Sequence, residues 1–305
     1  IQAQGGLSNY DPVTNSLLVS GYGSIGESLN IKSNFRNFNP RTGVSYRPTD
    51  KTVIRAGYGA STAPFPDNSY AYNFPVKQNN VFNSANAFVS PAGLSMAVGF
   101  PAPAVANIPQ NGIIDAGSDA RLRNQQYFVV PEDLKEGMLH SWNVAFQREL
   151  GWNFTGEIAY VGNRGQDIIH RLDLNASLTP GRAADGSPLG SNDNAGRPQF
   201  AQFQRTAATT AFLPYKTSYN SLQLKLDRRW KNNFLITNSY TLGKGMSYGN
   251  GDSNGDISTP ADIELSWGRT VNDRKHTFVS SFVYGLPFQK EGILGWITNG
   301  WQFSG

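Results

Sequence analysis

Apolar and polar residues alternate strictly in paired segments along this chain, the period-two signature of half-buried β-strands. In Leu139–Arg148, Trp142, Val144 and Phe146 share one side, opposite Ser141, Asn143, Ala145 and Gln147. A tight turn at Glu149–Asn153 leads into Phe154–Val161. There Phe154, Ile158 and Tyr160, with Gly156 between them, oppose Thr155, Glu157 and Ala159. A second pair sets Leu222, Leu224 and Leu226 against Ser221, Gln223, Lys225 and Asp227. After the turn Arg229–Asn233 it returns through Phe234–Leu242, where Asn238 breaks the apolar side. A third pair, Gly43–Arg47 and Thr52–Gly59, flanks Pro48–Lys51 and places Ile54, Ala56 and Tyr58 against Val53, Arg55 and Gly57. Further strands are expected at Leu17–Ser20, His276–Tyr284 and from Trp301 onward, making eight or nine. No segment carries a helical period beyond one turn at Asp133–Met138.

The connections are lopsided. Short turns close one end of each pair, and long aperiodic stretches run between pairs: Ser61–Gly137, Gly162–Ser218 and Gly243–Asn272. The first holds eight prolines (Pro64, Pro66, Pro75, Pro91, Pro101, Pro103, Pro109 and Pro131). Leu286–Asn299, with Gly292, Gly295 and Trp296, is a longer link before the last strand. Compact soluble domains seldom carry such loops, whereas outer-membrane barrels have short turns at one rim and long loops at the other. A uniformly apolar face needs a second sheet or hydrocarbon to cover it. Arg55, Glu157, Lys225 and Asp227, near mid-strand on the opposite face, suit a water-filled lumen. Trp142, Tyr160, Tyr240, Tyr284 and Trp301 near strand ends, and Trp152 and Trp230 in turns, suit a lipid–water boundary. Unpaired edges are costly in lipid, so such a sheet must close. The expectation is an all-β chain forming part of a large antiparallel transmembrane β-barrel with long extracellular loops.

Composition agrees with this and narrows the partners. Charged residues make up 16% of the 305, below the roughly 25% of ordinary soluble domains. No run of about 18 apolar residues offers a transmembrane helix, but barrel strands need none. Cysteine is absent, which removes disulfides and thiolate metal sites. The net charge of +4 is spread along the chain, without the basic block that tracks phosphates, so nucleic acid is not an expected partner. The chain opens at Ile1 without Met and ends at Trp301–Gly305, which reads as an internal piece of something longer.

Candidate chemistry is sparse. Gly21, Gly23 and Gly26 spell GxGxxG, but Glu27–Phe35 lacks the amphipathic helix a dinucleotide site requires, which leaves a glycine turn. Asp252, Asn254 and Asp256 alternate as oxygen ligands do in calcium loops, yet Gly255 comes too early and Glu264 is misplaced. His140, His170 and His276 are scattered, and His140 and His276 are expected to open strands and face water. Asp262 and Glu264 read as a solvated loop pair, and no GxSxG is present. No catalytic, cofactor or metal residue is assigned, no enzyme is expected, and ligand-binding residues stay unassigned.

Asn37–Gly59 (NFNPRTGVSYRPTDKTVIRAGYG) resembles a segment of the Oar-like, carboxypeptidase-regulatory-like group of TonB-dependent receptors. Ser141–Arg148, Gly156–Gly165, Tyr219–Arg229, Ser239–Lys244, Arg274–Phe288 and Trp301–Gly305 extend the resemblance in order. The resemblance implies a barrel of about 22 strands in the lipid and lipopolysaccharide outer membrane of a Gram-negative bacterium. It also implies import of a small ligand (oligosaccharide, peptide or metal chelate) past a plug, powered by TonB–ExbB–ExbD. Residues 1–305 correspond to part of that barrel, without plug, TonB box, regulatory-like domain or terminal strand. Two other readings stay open: a surface protein whose loops make contacts, and a secreted soluble β-rich binding module.

Overall fold

The computed structural model describes residues 7–32, 37–63, 73–78, 97, 99, 107–176, 196–248 and 263–305. Its strands are β1 (Ser8–Asp11), β2 (Ser16–Val19), β3 (Arg41–Thr49), β4 (Thr52–Ala63), β5 (Ile113–Asp115), β6 (Tyr127–Val129) and β7 (Gly137–Glu149). They continue as β8 (Phe154–Asp173), β9 (Thr209–Lys231), β10 (Phe234–Tyr248), β11 (Trp267–Arg269), β12 (His276–Gly285) and β13 (Gln302–Ser304). Three short helices are α1 (Ala120–Arg123), α2 (Pro198–Phe203) and α3 (Gly292–Thr298).

The main sheet is an antiparallel meander, in the order β13-β12-β10-β9-β8-β7-β4-β3. Each hairpin is set by its turn chemistry. Asn232 and Asn233 both hold positive φ (52° and 59°), the left-handed geometry of a tight turn that matches strand twist and that asparagine tolerates. Trp152 and Asn153 do the same (59° and 62°) in the 3-10 turn Gly151–Asn153. Asp50 and Lys51 join β3 to β4. All these turns lie at one end of the sheet, together with the link Leu286–Asn299, and β4, β8 and β10 run into the three longest connections at the other.

Register aligns the faces read from the sequence. Tyr46, Ile54, Phe146, Ile158, Leu224, Tyr240 and Phe278 form one continuous rung across seven strands. The rung above it holds Val44, Ala56, Val144, Tyr160, Leu222 and Leu242. Among the described residues no sheet or helix covers this face: Val144 and Phe278 remain 51% and 66% exposed. Asn238 does sit on it, opposite Leu226 and Ser280, so the interrupted alternation of β10 keeps its facing.

Several sequence expectations are corrected. The second long stretch begins not at Gly162 but after Asp173 and ends before Thr209, because β8 and β9 run for 20 and 23 residues. A membrane crossing needs only about 9–11. The excess rises beyond the membrane, where no face is uniformly apolar and the period-two signal vanishes. The third stretch likewise loses Gly243–Tyr248 to β10 and Trp267–Arg269 to β11. Asp133–Met138 is not helical; Met138 already belongs to β7. Trp230 is within β9 rather than in a turn. Tyr240 lies mid-band rather than near a strand end. The link Leu286–Asn299 contains α3.

The residues before β3 and the first long stretch together build a second, smaller fold. β1, β2 and β5 form a three-stranded sheet, and β6 adds in parallel to the top of β9. Tyr10, Leu17, Val19, Phe74, Ile114, Leu122 and Tyr127 make its core. Gly21 and Gly23 supply positive φ (77° and 56°) in the turn that follows β2, as the glycine-turn reading requires. A Cβ on Gly23 would stand 2.7 Å from Asn111 O, so the turn presses directly on the 109–112 backbone.

Candidate functional site

The polar side of the main sheet is a continuous wall. Its rungs are Ser45, Arg55, Ala145, Ala159, Gln223, Thr241 and Thr277, and next to them Val53, Gln147, Glu157, Lys225 and Ser239. Arg55 donates to Gln147 Oε1 at 2.8 Å and lies 3.8 Å from Glu157. Lys225 is 2.7 Å from Asp227. The four charges singled out from the sequence therefore meet on one wall as two opposite-sign pairs, half-exposed. Such pairs add little stability; their consequence is a wetted surface of mixed charge.

Above the wall, the rising parts of β8, β9 and β10 enclose a recess of about 320 Å³. Asn163, His170, Thr217, Tyr219, Ser247 and Thr270 line it. A bulge between Gly165 and Ile168 turns His170 inward. Its Nδ1 is 3.0 Å from Ile168 O and its Nε2 3.0 Å from Ser247 Oγ. Burial pushes the His170 pKa below the ordinary imidazole value, against weaker raising by its backbone hydrogen bonds. Tyr215 packs edge-on against the ring at 5.7 Å. No periodicity marks this recess, since all of its named residues but Tyr219 come from segments read as loop.

The cap over this mouth is held by polar side chains acting as strand partners. Asn9 Nδ2 donates to Val130 O (2.7 Å) and its Oδ1 accepts from Val130 N (2.9 Å). Asn73 bridges Ser8 O, Phe128 O and Phe128 N in the same way. At the centre lies Arg205, fully buried. It donates to Gln199 Oε1 (3.2 Å), Arg123 O (2.7 Å) and Gln125 O (2.9 Å). Its guanidinium lies 5.0 Å and 4.6 Å from the Tyr10 and Tyr127 ring centres. Among the described residues no carboxylate forms an ion pair with it. Desolvation pushes the Tyr10 phenol up to about 12 and raises Tyr127 too, partly offset by Arg205.

The other sequence candidates are placed as follows. His140 and His276 do not face water but sit on the apolar face near its upper rim. Tyr58 and Tyr240 hydroxyls each meet their Nδ1 at 2.7 Å. The physical reason is register: His140 and His276 share the parity of Trp142 and Phe278. Glu264 is not merely solvated, because it accepts from the Tyr248 hydroxyl at 2.9 Å. Asp252–Asp256 and Asp262 lie outside the described residues. Among the described residues no three His, Cys, Asp or Glu side chains gather as a metal set.

An antiparallel meander with one naked apolar face, one wet charged face and its three longest connections at one rim is the wall of a bacterial outer-membrane β-barrel. The chain belongs to the outer membrane beta barrel domain family, whose description matches residues 1–305. No curated protein matches it. Among solved structures it is similar to the FrpB iron transporter (F5-1 variant) of Neisseria meningitidis: 10% identity, TM-score 0.40, 82% of this chain and 25% of that one. It is also similar to the ferric enterobactin receptor PfeA of Pseudomonas aeruginosa: 13% identity, TM-score 0.38, 81% and 26%. A third is the alcaligin receptor FauA of Bordetella pertussis: 13% identity, TM-score 0.34, 83% and 27%. The chain thus spans about a quarter of each.

Proposed function

We propose that the chain forms part of the barrel of a TonB-dependent receptor of the Oar-like group. It imports a small ligand, an oligosaccharide, peptide or metal chelate, through a plugged lumen of about 22 strands. The observation that carries this reading is the charged, wetted wall of Arg55, Glu157, Lys225 and Asp227 continuing upward into the His170 recess. A wide polar passage topped by a built polar mouth suits capture followed by passage. The ordered motif resemblance from Asn37 to Gly305 supports the TonB-dependent class.

The test is uptake by the whole receptor in cells. Ligand accumulation ends when TonB is deleted or a protonophore collapses the proton-motive force. Accumulation that persists under both overturns the reading. Cells lacking the receptor that keep full uptake, but lose adhesion, favour the surface-contact alternative. Membership of the outer-membrane barrel family removes the soluble secreted module.

A further inference from the structure

We propose that α3 is an interfacial anchor, seated in the inner leaflet of the outer membrane at the boundary between headgroups and acyl chains. The link that carries it leaves β12 at the rim of the tight turns, the periplasmic rim of such barrels. There Gly285 N donates to Asn233 O, and Leu286 N to Trp301 O. The link is a built loop. Its base is closed by the Asn299 side chain, which accepts from Lys290 N (2.9 Å) and donates to Lys290 O (2.8 Å). Gly295 is buried, and a Cβ there would overlap Lys290 O, so this side of α3 rests on the chain's own backbone. Ile293, Leu294, Trp296 and Ile297 fall within an arc of about 160° whose centre lies opposite Gly295. Held by its glycine side, the helix turns all four away from the chain. Among the described residues nothing covers them: Ile293 and Trp296 are 83% and 94% exposed.

The surroundings select lipid as the occupant, because α3 is continuous with the apolar face of the sheet. Phe303 pairs with Tyr284, and Tyr284 with Phe234, all on that face. The Phe282 and Phe303 rings meet there at 5.6 Å. Trp301 stands two residues below Phe303 on the same side, and its Nε1 donates to Ile297 O. The C-terminal end of α3 is thereby tied to the lipid side of β13, directly under the apolar band. An occupant of the lumen would meet the other side of β13. Gly292–Thr298 carries no charge, and Lys290 and Glu291 come only before it. An apolar helical arc beside tryptophan is what the headgroup boundary takes up. The strands reach this depth with single aromatic side chains, and α3 adds a compact apolar surface next to them.

The test uses the full-length receptor in phospholipid vesicles, with a nitroxide attached through Ile293→Cys. Residues 1–305 contain no native cysteine, and any cysteine elsewhere in the receptor is replaced by serine. Spin relaxation by oxygen, which concentrates in hydrocarbon, and by a neutral nickel chelate, which stays in water, reads the surroundings. Asp50→Cys in a tight turn gives the reference for water, and Leu224→Cys in the apolar band the reference for hydrocarbon. The label at residue 293 is reached by oxygen and shielded from nickel, between the two references. Adding Trp296→Ser raises the nickel-exposed population about tenfold, the loss of one buried aromatic side chain. Heat-modifiable gel mobility shows an intact barrel in each variant. Three results overturn the proposal: nickel access equal to that of Asp50→Cys, shielding from both reagents, which marks a protein partner on the helix, or nickel access unchanged by Trp296→Ser.

Discussion

Replacing Arg205 by alanine unlatches the extracellular cap without disturbing the membrane sheet. The side chain is fully buried and joins three parts of the chain: residues 123–125, α2, and the aromatic pair Tyr10–Tyr127. Each hydrogen bond from a charged donor is worth about 1.5–3 kcal/mol, and a desolvated cation–π contact about 2 kcal/mol. Desolvating the guanidinium returns several kcal/mol of that gain, so the net loss on removal is about 3–5 kcal/mol. Most of it comes from stranding Arg123 O and Gln125 O without a donor. Amides in residues 8–19 and 120–130 then exchange with deuterium between about a hundredfold and a few thousandfold faster. Those of β7 and β8 below Gly162 keep their protection. Arg205→Lys loses nearly as much, because one ammonium cannot reach three acceptors that Nε, Nη1 and Nη2 serve separately. Unchanged cap exchange in Arg205→Ala, or full protection in Arg205→Lys, refutes the argument. Equal loss throughout the barrel does so as well, because it denies that the cap opens by itself.

Two further expectations concern the wall and the mouth. Leu224→Arg, at the centre of the apolar band, destabilises the barrel by about 2–4 kcal/mol in vesicle unfolding with urea, and the adjacent luminal Gln223→Arg by far less; equal losses contradict the assignment of faces. His170, above the membrane, has a folded pKa below its unfolded one. The unfolded chain therefore takes up the proton first, so stability that is complete above about pH 6.5 falls as pH drops through the folded value. Protection factors at residues 168–172 and 245–248, corrected for the intrinsic pH dependence of amide exchange, fall as pH drops below about 6.5, and His170→Gln flattens the dependence; an unchanged slope in the variant denies the imidazole its role.

The amino-acid sequence alone determined the membrane-crossing wall. Alternation in β4, β7, β8 and β9 assigned each face, and asparagine-rich and tryptophan-bearing turns marked one rim, because a two-solvent environment writes itself into every second residue. What only the tertiary structure decided lies above the membrane. There β8 and β9 continue without an apolar side, β6 joins β9 in parallel, and Arg205 finds its acceptors about 80 residues away. Such contacts depend on a single buried cation and a few amide side chains at long sequence separation. No periodicity accompanies them, so residues that read as polar loop become the packed cap and the recess holding His170.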